Sequence, residues 1–152
     1  GFKVHVKGFE VHSSLLPYGV SAVMEGARLI QWLNGQNADI QARPVAARAA
    51  AFDPPFTTLH VGTIKGGTAN NITAADCQFA IEMRVVPGED LEAWAGSVAA
   101  EAARLTETMQ AVRPELFRYA CTFVSVLRRS PQPSRATLAF HECLVGAHGG
   151  AC

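Results

Sequence analysis

The chain has 152 residues, enough for one compact domain with a core, and its 49% hydrophobic against 17% charged content excludes wholesale disorder. Thirteen basic residues cancel thirteen acidic ones, which leaves no broad basic field for nucleic acid or an anionic membrane. No apolar run approaches the roughly 18 residues of a membrane span, and the opening lacks a signal-peptide pattern.

Gly1 rather than Met at the start is what a processed or excised chain would show. Of four cysteines, Cys121, Cys143 and Cys152 crowd the last stretch and Cys77 stands apart in an apolar run. This uneven placement in a chain of this size predicts a reduced, cytoplasmic protein rather than a disulfide framework.

The first element is "FKVHVKG", residues 2–8. Phe2, Val4 and Val6 alternate with Lys3, His5 and Lys7, the pattern of a half-buried strand. "FEVHSSLLPYG" then reads as a polar loop. Val20, Val23, Met24, Ala27, Ile30 and Leu33 recur at helical spacing and predict a helix that stops near Asn34-Gly35. Residues 36–56 are rich in Ala, Arg and Pro, and Pro54 and Pro55 exclude a helix or central strand at their end. "TTLHVGTI", 57–64, is rich in β-branched residues and predicts a second strand, broken by Gly66 and Gly67.

"CQFAIEMRVV", 77–86, alternates most clearly. Cys77, Phe79, Ile81, Met83 and Val85 share one face, and Gln78, Glu82 and Arg84 the other. Asp90 caps a second amphipathic helix through Leu91, Trp94, Ala95, Val98, Ala102, Leu105 and Met109. "LFRYACTFVSV", 116–126, predicts a fourth strand. The order β-α-β-β-α-β predicts an α+β, ferredoxin-like two-layer sandwich: a four-stranded antiparallel sheet with two helices on one face. Residues 1–126 form this domain, and 127–152 form a tail opening on "RRSPQPSR".

The loop "HVGTIKGGTANNI", 60–72, raises the question of phosphate. A P-loop ends in Gly-Lys-Ser/Thr, whereas here Lys65 precedes the glycines. A dinucleotide fingerprint needs a helix after the loop, whereas here a strand follows. By these residues alone the loop is a structural turn, with glycines supplying positive φ and asparagines capping it.

"FDPPFTTLHVGTIKGGTANNI", followed by "CQFAIEMRVVPGED", resembles the acetylornithine deacetylases, within the wider family of two-zinc aminoacylases, carboxypeptidases and desuccinylases. "GFEVHSSLLPYGVSAVMEGARLI" is similar to the stretch that opens their dimerisation, or lid, domain. The resemblance covers residues 1 to about 114. It implies a homodimer and a parent enzyme that deacylates small N-acyl amino acids in arginine biosynthesis. It also implies two zinc (or cobalt) ions held by a separate catalytic domain. The His-x-Asp stretch and Glu-Glu pair of that domain do not occur here, so this chain is expected to hold no metal pair and to be inactive alone.

The same resemblance implies site residues. His12 takes the place of the histidine that reaches into the neighbouring subunit's active site, where an imidazole donor beside the oxyanion is worth roughly 3 kcal/mol. Asn71, just before Ile72, matches the turn asparagine that holds a substrate oxygen. Arg84 matches a strand arginine that reads the substrate carboxylate through its planar fork. Gly67 joins them as a substrate-binding position, since Lys65, Gly66 and Gly67 shape the turn. The family continues this turn as Asn-Ile-Val-Pro where this chain has "NITA". Ala74 thus replaces a rigid proline, and a looser turn is expected.

Plainer readings accompany each. A lone loop histidine is usually solvated, an arginine on an open sheet face is usually a surface charge, His5 and His60 read as structural, and Trp32 and Trp94 as packing residues. The whole domain could be a stand-alone, non-catalytic dimerisation module, or belong to a related desuccinylase or carboxypeptidase. His141, Cys143, His148 and Cys152 are metal-ligand types in the tail, but their spacing fits structural zinc poorly.

Overall fold

The computed structural model describes residues 1–112, 114, 115 and, as backbone, 122–127. Strand β1 (Phe2–Lys7) leads through a 3-10 helix (Ser13–Tyr18) into helix α1 (Ala22–Gln41). Strands β2 (Thr58–Gly66) and β3 (Asp76–Arg84) follow, then helix α2 (Leu91–Val112) and strand β4 (Thr122–Leu127). The result is a mixed α+β domain. β1 pairs antiparallel with β3, β3 antiparallel with β2, and the backbone of β4 lies along the other side of β1, so the strand order is β2-β3-β1-β4.

Alternation decides which face is dry. Phe2, Val4 and Val6 of β1 and Cys77, Phe79 and Ile81 of β3 are buried, while Lys3, Gln78, Glu82 and Arg84 are exposed. Val98, Ala102, Leu105 and Met109 of α2 join Leu29, Leu33 and Ile40 of α1 in the same core. Full burial of a Leu, Ile or Met side chain contributes about 1.5–3 kcal/mol, so this single core dominates the stability of the domain.

Several readings need correction. First, α1 does not stop at Asn34-Gly35 but runs on to Gln41. A helical glycine costs only about 1 kcal/mol, and Asn37, one turn further, clamps the edge strand. Its amide nitrogen donates to the Leu59 carbonyl at 2.7 Å, and its oxygen accepts from Leu59 N–H at 2.9 Å. Ile40, buried beyond it, extends the apolar stripe.

Second, the stripe itself is rotated. Ala22, Gly26, Leu29, Leu33 and Ile40 are buried, Val23 and Ile30 only flank the core, and Met24 is 55% exposed. The small Gly26 faces Cys77, Phe79 and Val6, and this close approach of helix to sheet sets the rotation.

Third, the loop after β1 contains a 3-10 helix and is not polar at its surface, since Leu15, Leu16 and Tyr18 are exposed. Helix α2 begins as its cap predicts: Asp90 Oδ1 accepts from Glu92 N–H at 2.8 Å. Leu91, expected on its apolar face, is exposed instead. Among the described residues no helix is long and apolar enough to cross a membrane. Of the expected fourth strand, 116–121 lie outside the described residues, as do His141, Cys143, His148 and Cys152.

Candidate functional site

His12 and Asn71 are brought together. The segment after β1 runs beside the turn after β2, with His12 opposite Ile72 in an antiparallel bridge. Ser13 N–H donates to the Asn71 carbonyl at 2.8 Å, and Thr73 N–H donates to the Val11 carbonyl at 2.9 Å. Both site residues therefore sit on one short backbone ladder, with His12 and Asn71 exposed at its tip.

Thr73 locks that ladder. Its side chain is buried, its Oγ1 accepts from Val11 N–H at 2.8 Å, and its hydroxyl donates to the Phe9 carbonyl at 3.0 Å. A buried hydroxyl must find partners, and here the partners are the backbone that carries His12. Gly19 permits the close approach, because a Cβ there would lie 2.4 Å from Val11 Cγ2 and 2.9 Å from Thr73 Oγ1.

The turn itself starts at Gly67, whose φ of 78° is open mainly to glycine. Gly67 N–H returns to the Asp76 carbonyl at 3.1 Å, which closes the turn onto β3. Ala74, in place of the expected proline, is buried, and its carbonyl accepts from Ala22 N–H at 2.7 Å at the start of α1. Hydrogen bonds on both sides of this alanine hold the turn that a proline ring would otherwise stiffen.

The His12 ring has a defined arrangement. Its Nδ1 accepts from Ser14 N–H at 3.2 Å and lies 2.8 Å from Ser14 Oγ. A backbone N–H can only donate, so this geometry suits the neutral ring with Nδ1 as acceptor and the proton on Nε2. Leu15, Leu16 and Tyr18 stand exposed on the 3-10 helix that His12 caps.

Arg84 is elsewhere. It closes the far end of β3, paired in register with Thr58, whereas Cys77 at the near end pairs with Gly66. The nine-residue strand separates the two ends by about 26 Å at roughly 3.3 Å per residue. The Arg84 side chain is 78% exposed and pairs with Glu82 on the same face. A groove on the face of the sheet away from α1 and α2 is lined by Lys3, Thr63, Glu82 and Arg84, and an adjoining one by His5, Lys65 and Gln78. Neither includes His12 or Asn71. His5 pairs with Asp76, in keeping with a structural role, while His60 is exposed on the edge strand.

Sequence reasoning missed Thr73 and Ser14. Nothing local marks Thr73 as buried, because its partners lie about sixty positions earlier in the chain. Ser14 carried a readable signal: a serine two residues after a histidine at the start of a helical turn can bond back to it.

These observations define a mixed α+β domain that presents a histidine and an asparagine at an exposed tip. The family model of the M20 peptidase dimerisation domain matches residues 1–109, and the chain belongs to that family. It is 31% identical over 126 residues to the acetylornithine deacetylase of Myxococcus xanthus, a match that covers 83% of this chain and 30% of that protein. The chain thus spans less than a third of the length of this curated relative.

Two solved structures share the fold. One, described as an amidohydrolase/peptidase from Burkholderia cenocepacia, superposes with a TM-score of 0.56 at 19% identity, covering 71% of this chain and 24% of that one. The other, described as an aminohydrolase from methicillin resistant Staphylococcus aureus, gives a TM-score of 0.53 at 15% identity and covers 82% and 28%. Among the described residues, no three His, Cys, Asp or Glu side chains gather into a metal-donor set.

Proposed function

We propose that this chain is the dimerisation (lid) domain of an acetylornithine deacetylase-like amide hydrolase, and that His12 donates to the oxyanion in the partner subunit's active site. The observation that carries the reading is the His12 ring. Nδ1 is held as an acceptor within its own protomer, which leaves Nε2–H to donate outward. Hydrolysis of an N-acyl amino acid builds negative charge on the amide carbonyl oxygen, and a fixed donor aimed at that oxygen lowers the barrier. The exposed Leu15, Leu16 and Tyr18 around it suit a tip that is covered by a second body.

The separation of Arg84 from His12 supports a site shared by two protomers. In one copy they lie too far apart to meet on one small substrate. β2 is an edge strand, and two such edges pairing about a two-fold axis run antiparallel. That pairing lays the Gly66 end of one protomer beside the Thr58 end of its partner. His12 and Asn71 of one copy then share an end with the partner's Arg84, whose fork binds the substrate carboxylate while Asn71 holds an acyl oxygen. The strand order and the βαββαβ sequence support reading the layer arrangement as ferredoxin-like.

The described residues do not fit a metal pair, so no step through metal is assigned to them. In this reading two zinc ions and the attacking water belong to the catalytic domain of the parent. In that full-length parent, His12→Ala should lower kcat by about a hundredfold, the scale of a lost oxyanion donor, with the dimer intact by light scattering. An unchanged kcat would remove the role assigned to His12.

The edge position of β2 also favours a second reading, a stand-alone module that dimerises without chemistry. The complete reading frame separates the two: metal-ligand sequence flanking this domain supports the hydrolase, and its absence supports the module.

A further inference from the structure

We infer that Ser14 is a positioning residue that fixes His12 as the Nε2–H tautomer and aims that proton away from its own protomer. The inference rests on reading His12 as an oxyanion donor, and it names what makes the donor competent. An exposed imidazole in water exchanges between two neutral tautomers, and only one of them presents Nε2–H. Ser14 engages Nδ1 twice, through its backbone N–H at 3.2 Å and its hydroxyl at 2.8 Å. With Nδ1 as the acceptor of the N–H, the hydroxyl is placed to share that nitrogen's one in-plane lone pair as a second donor. In the opposite tautomer the Ser14 N–H would lose its acceptor and face Nδ1–H, and the hydroxyl would have to turn from donor to acceptor.

Ser14 is itself held. Leu15 N–H donates to the His12 carbonyl at 2.8 Å, closing the 3-10 turn, and Ser13 N–H is tied to the Asn71 carbonyl at 2.8 Å. These bonds hold the backbone that carries both the ring and the Ser14 N–H, so that N–H stays beside Nδ1 as long as the ladder to Asn71 is intact. The ring's direction and its tautomer are set by one residue, and by contacts that need no substrate.

The test is long-range proton–nitrogen NMR on the nitrogen-labelled chain near neutral pH, with the His12 ring assigned by its loss in His12→Ala. The unmodified chain should show His12 as the Nε2–H tautomer. Ser14→Ala, which removes one of the two donors, should raise the Nδ1–H share about fivefold, the scale of one net hydrogen bond. Ser14→Thr, which keeps the hydroxyl, should match the unmodified chain. Equal tautomer shares in Ser14→Ala and the unmodified chain would overturn the inference, as would an Nδ1–H ring in Ser14→Thr.

In the full-length parent, Ser14→Ala should lower kcat in proportion to the Nε2–H share that the ring loses, with KM unchanged, and Ser14→Thr should restore it. A tautomer shift in the chain without a fall in kcat would sink the oxyanion role of His12 while leaving Ser14's hold on the ring standing. The two ideas thus fail separately.

Discussion

Two buried threonines hold the two ends of the sheet, and they do different work. Thr57, fully buried, lies at the Arg84 end, where its Oγ1 accepts from Val86 N–H at 3.2 Å and its hydroxyl donates to Glu89 at 2.7 Å. Glu89 also accepts from the Trp94 indole at 2.8 Å, so this cluster ties the start of β2 to the start of α2. Thr73, at the other end, bonds only to the backbone of the segment that carries His12. One threonine joins elements of the scaffold, and the other aims a tip. The contrast teaches that Arg84, a single exposed side chain with one ion pair, is placed by its strand, whereas His12 and Asn71 are placed by a dedicated set of hydrogen bonds.

The largest separation between the ends should appear in activity. Thr73→Val in the full-length parent should lower kcat more than tenfold, because a shift of about 1 Å in a catalytic group costs up to a hundredfold. Thr57→Val should leave kcat within about twofold. Steady-state kinetics on the two variants decide, and equal losses would erase the distinction.

In stability the two should converge. Each substitution strands buried backbone groups and should cost about 2 kcal/mol by urea unfolding. A cost near zero for Thr57→Val would show that its cluster does not brace the Arg84 end.

A smaller effect comes from Glu25 in the first turn of α1. Burial raises its carboxyl above the ordinary range, against the lowering influence of Arg28. The folded chain therefore holds this proton more readily than the unfolded one. Its contribution is fully present below the ordinary glutamate value and is lost as pH rises through the raised one. Glu25→Gln should flatten the dependence of the urea midpoint on pH just above the ordinary glutamate range, while Thr73→Val should leave that slope unchanged.

The smallest effect should be Arg84→Ala, whose exposed ion pair predicts a change in stability below about 0.5 kcal/mol. Its consequence in the parent should instead be a raised KM, as expected for a group that binds the substrate carboxylate.

Much of the scaffold was legible because it depends on local periodicity. The alternation in β1 and β3 and the Asp90 cap of α2 stand as read. What was not legible depends on distant partners. Helix α1 passes through Asn34-Gly35 because Asn37 grips Leu59 across the fold, and no spacing rule exposes such a clamp. Thr57 and Thr73 read as ordinary polar residues because their burial follows from packing. His12 and Asn71 came from family likeness, and the structure adds that they share a ladder. The expected strand 77–86 already set Arg84 far from the turn, but that His12 sits at the turn's end rests on its bridge to Ile72 and could not be read.

The most direct test of the shared site is a hybrid dimer of the full-length parent. One protomer carries His12→Ala, and the other keeps His12 but lacks the general base of its catalytic domain. Each homodimer should be nearly inactive, and the mixed dimer should regain one working site, close to half the activity of the unmodified dimer. A mixed dimer no more active than its two parents would mean that His12 serves only its own protomer, and the account would fall.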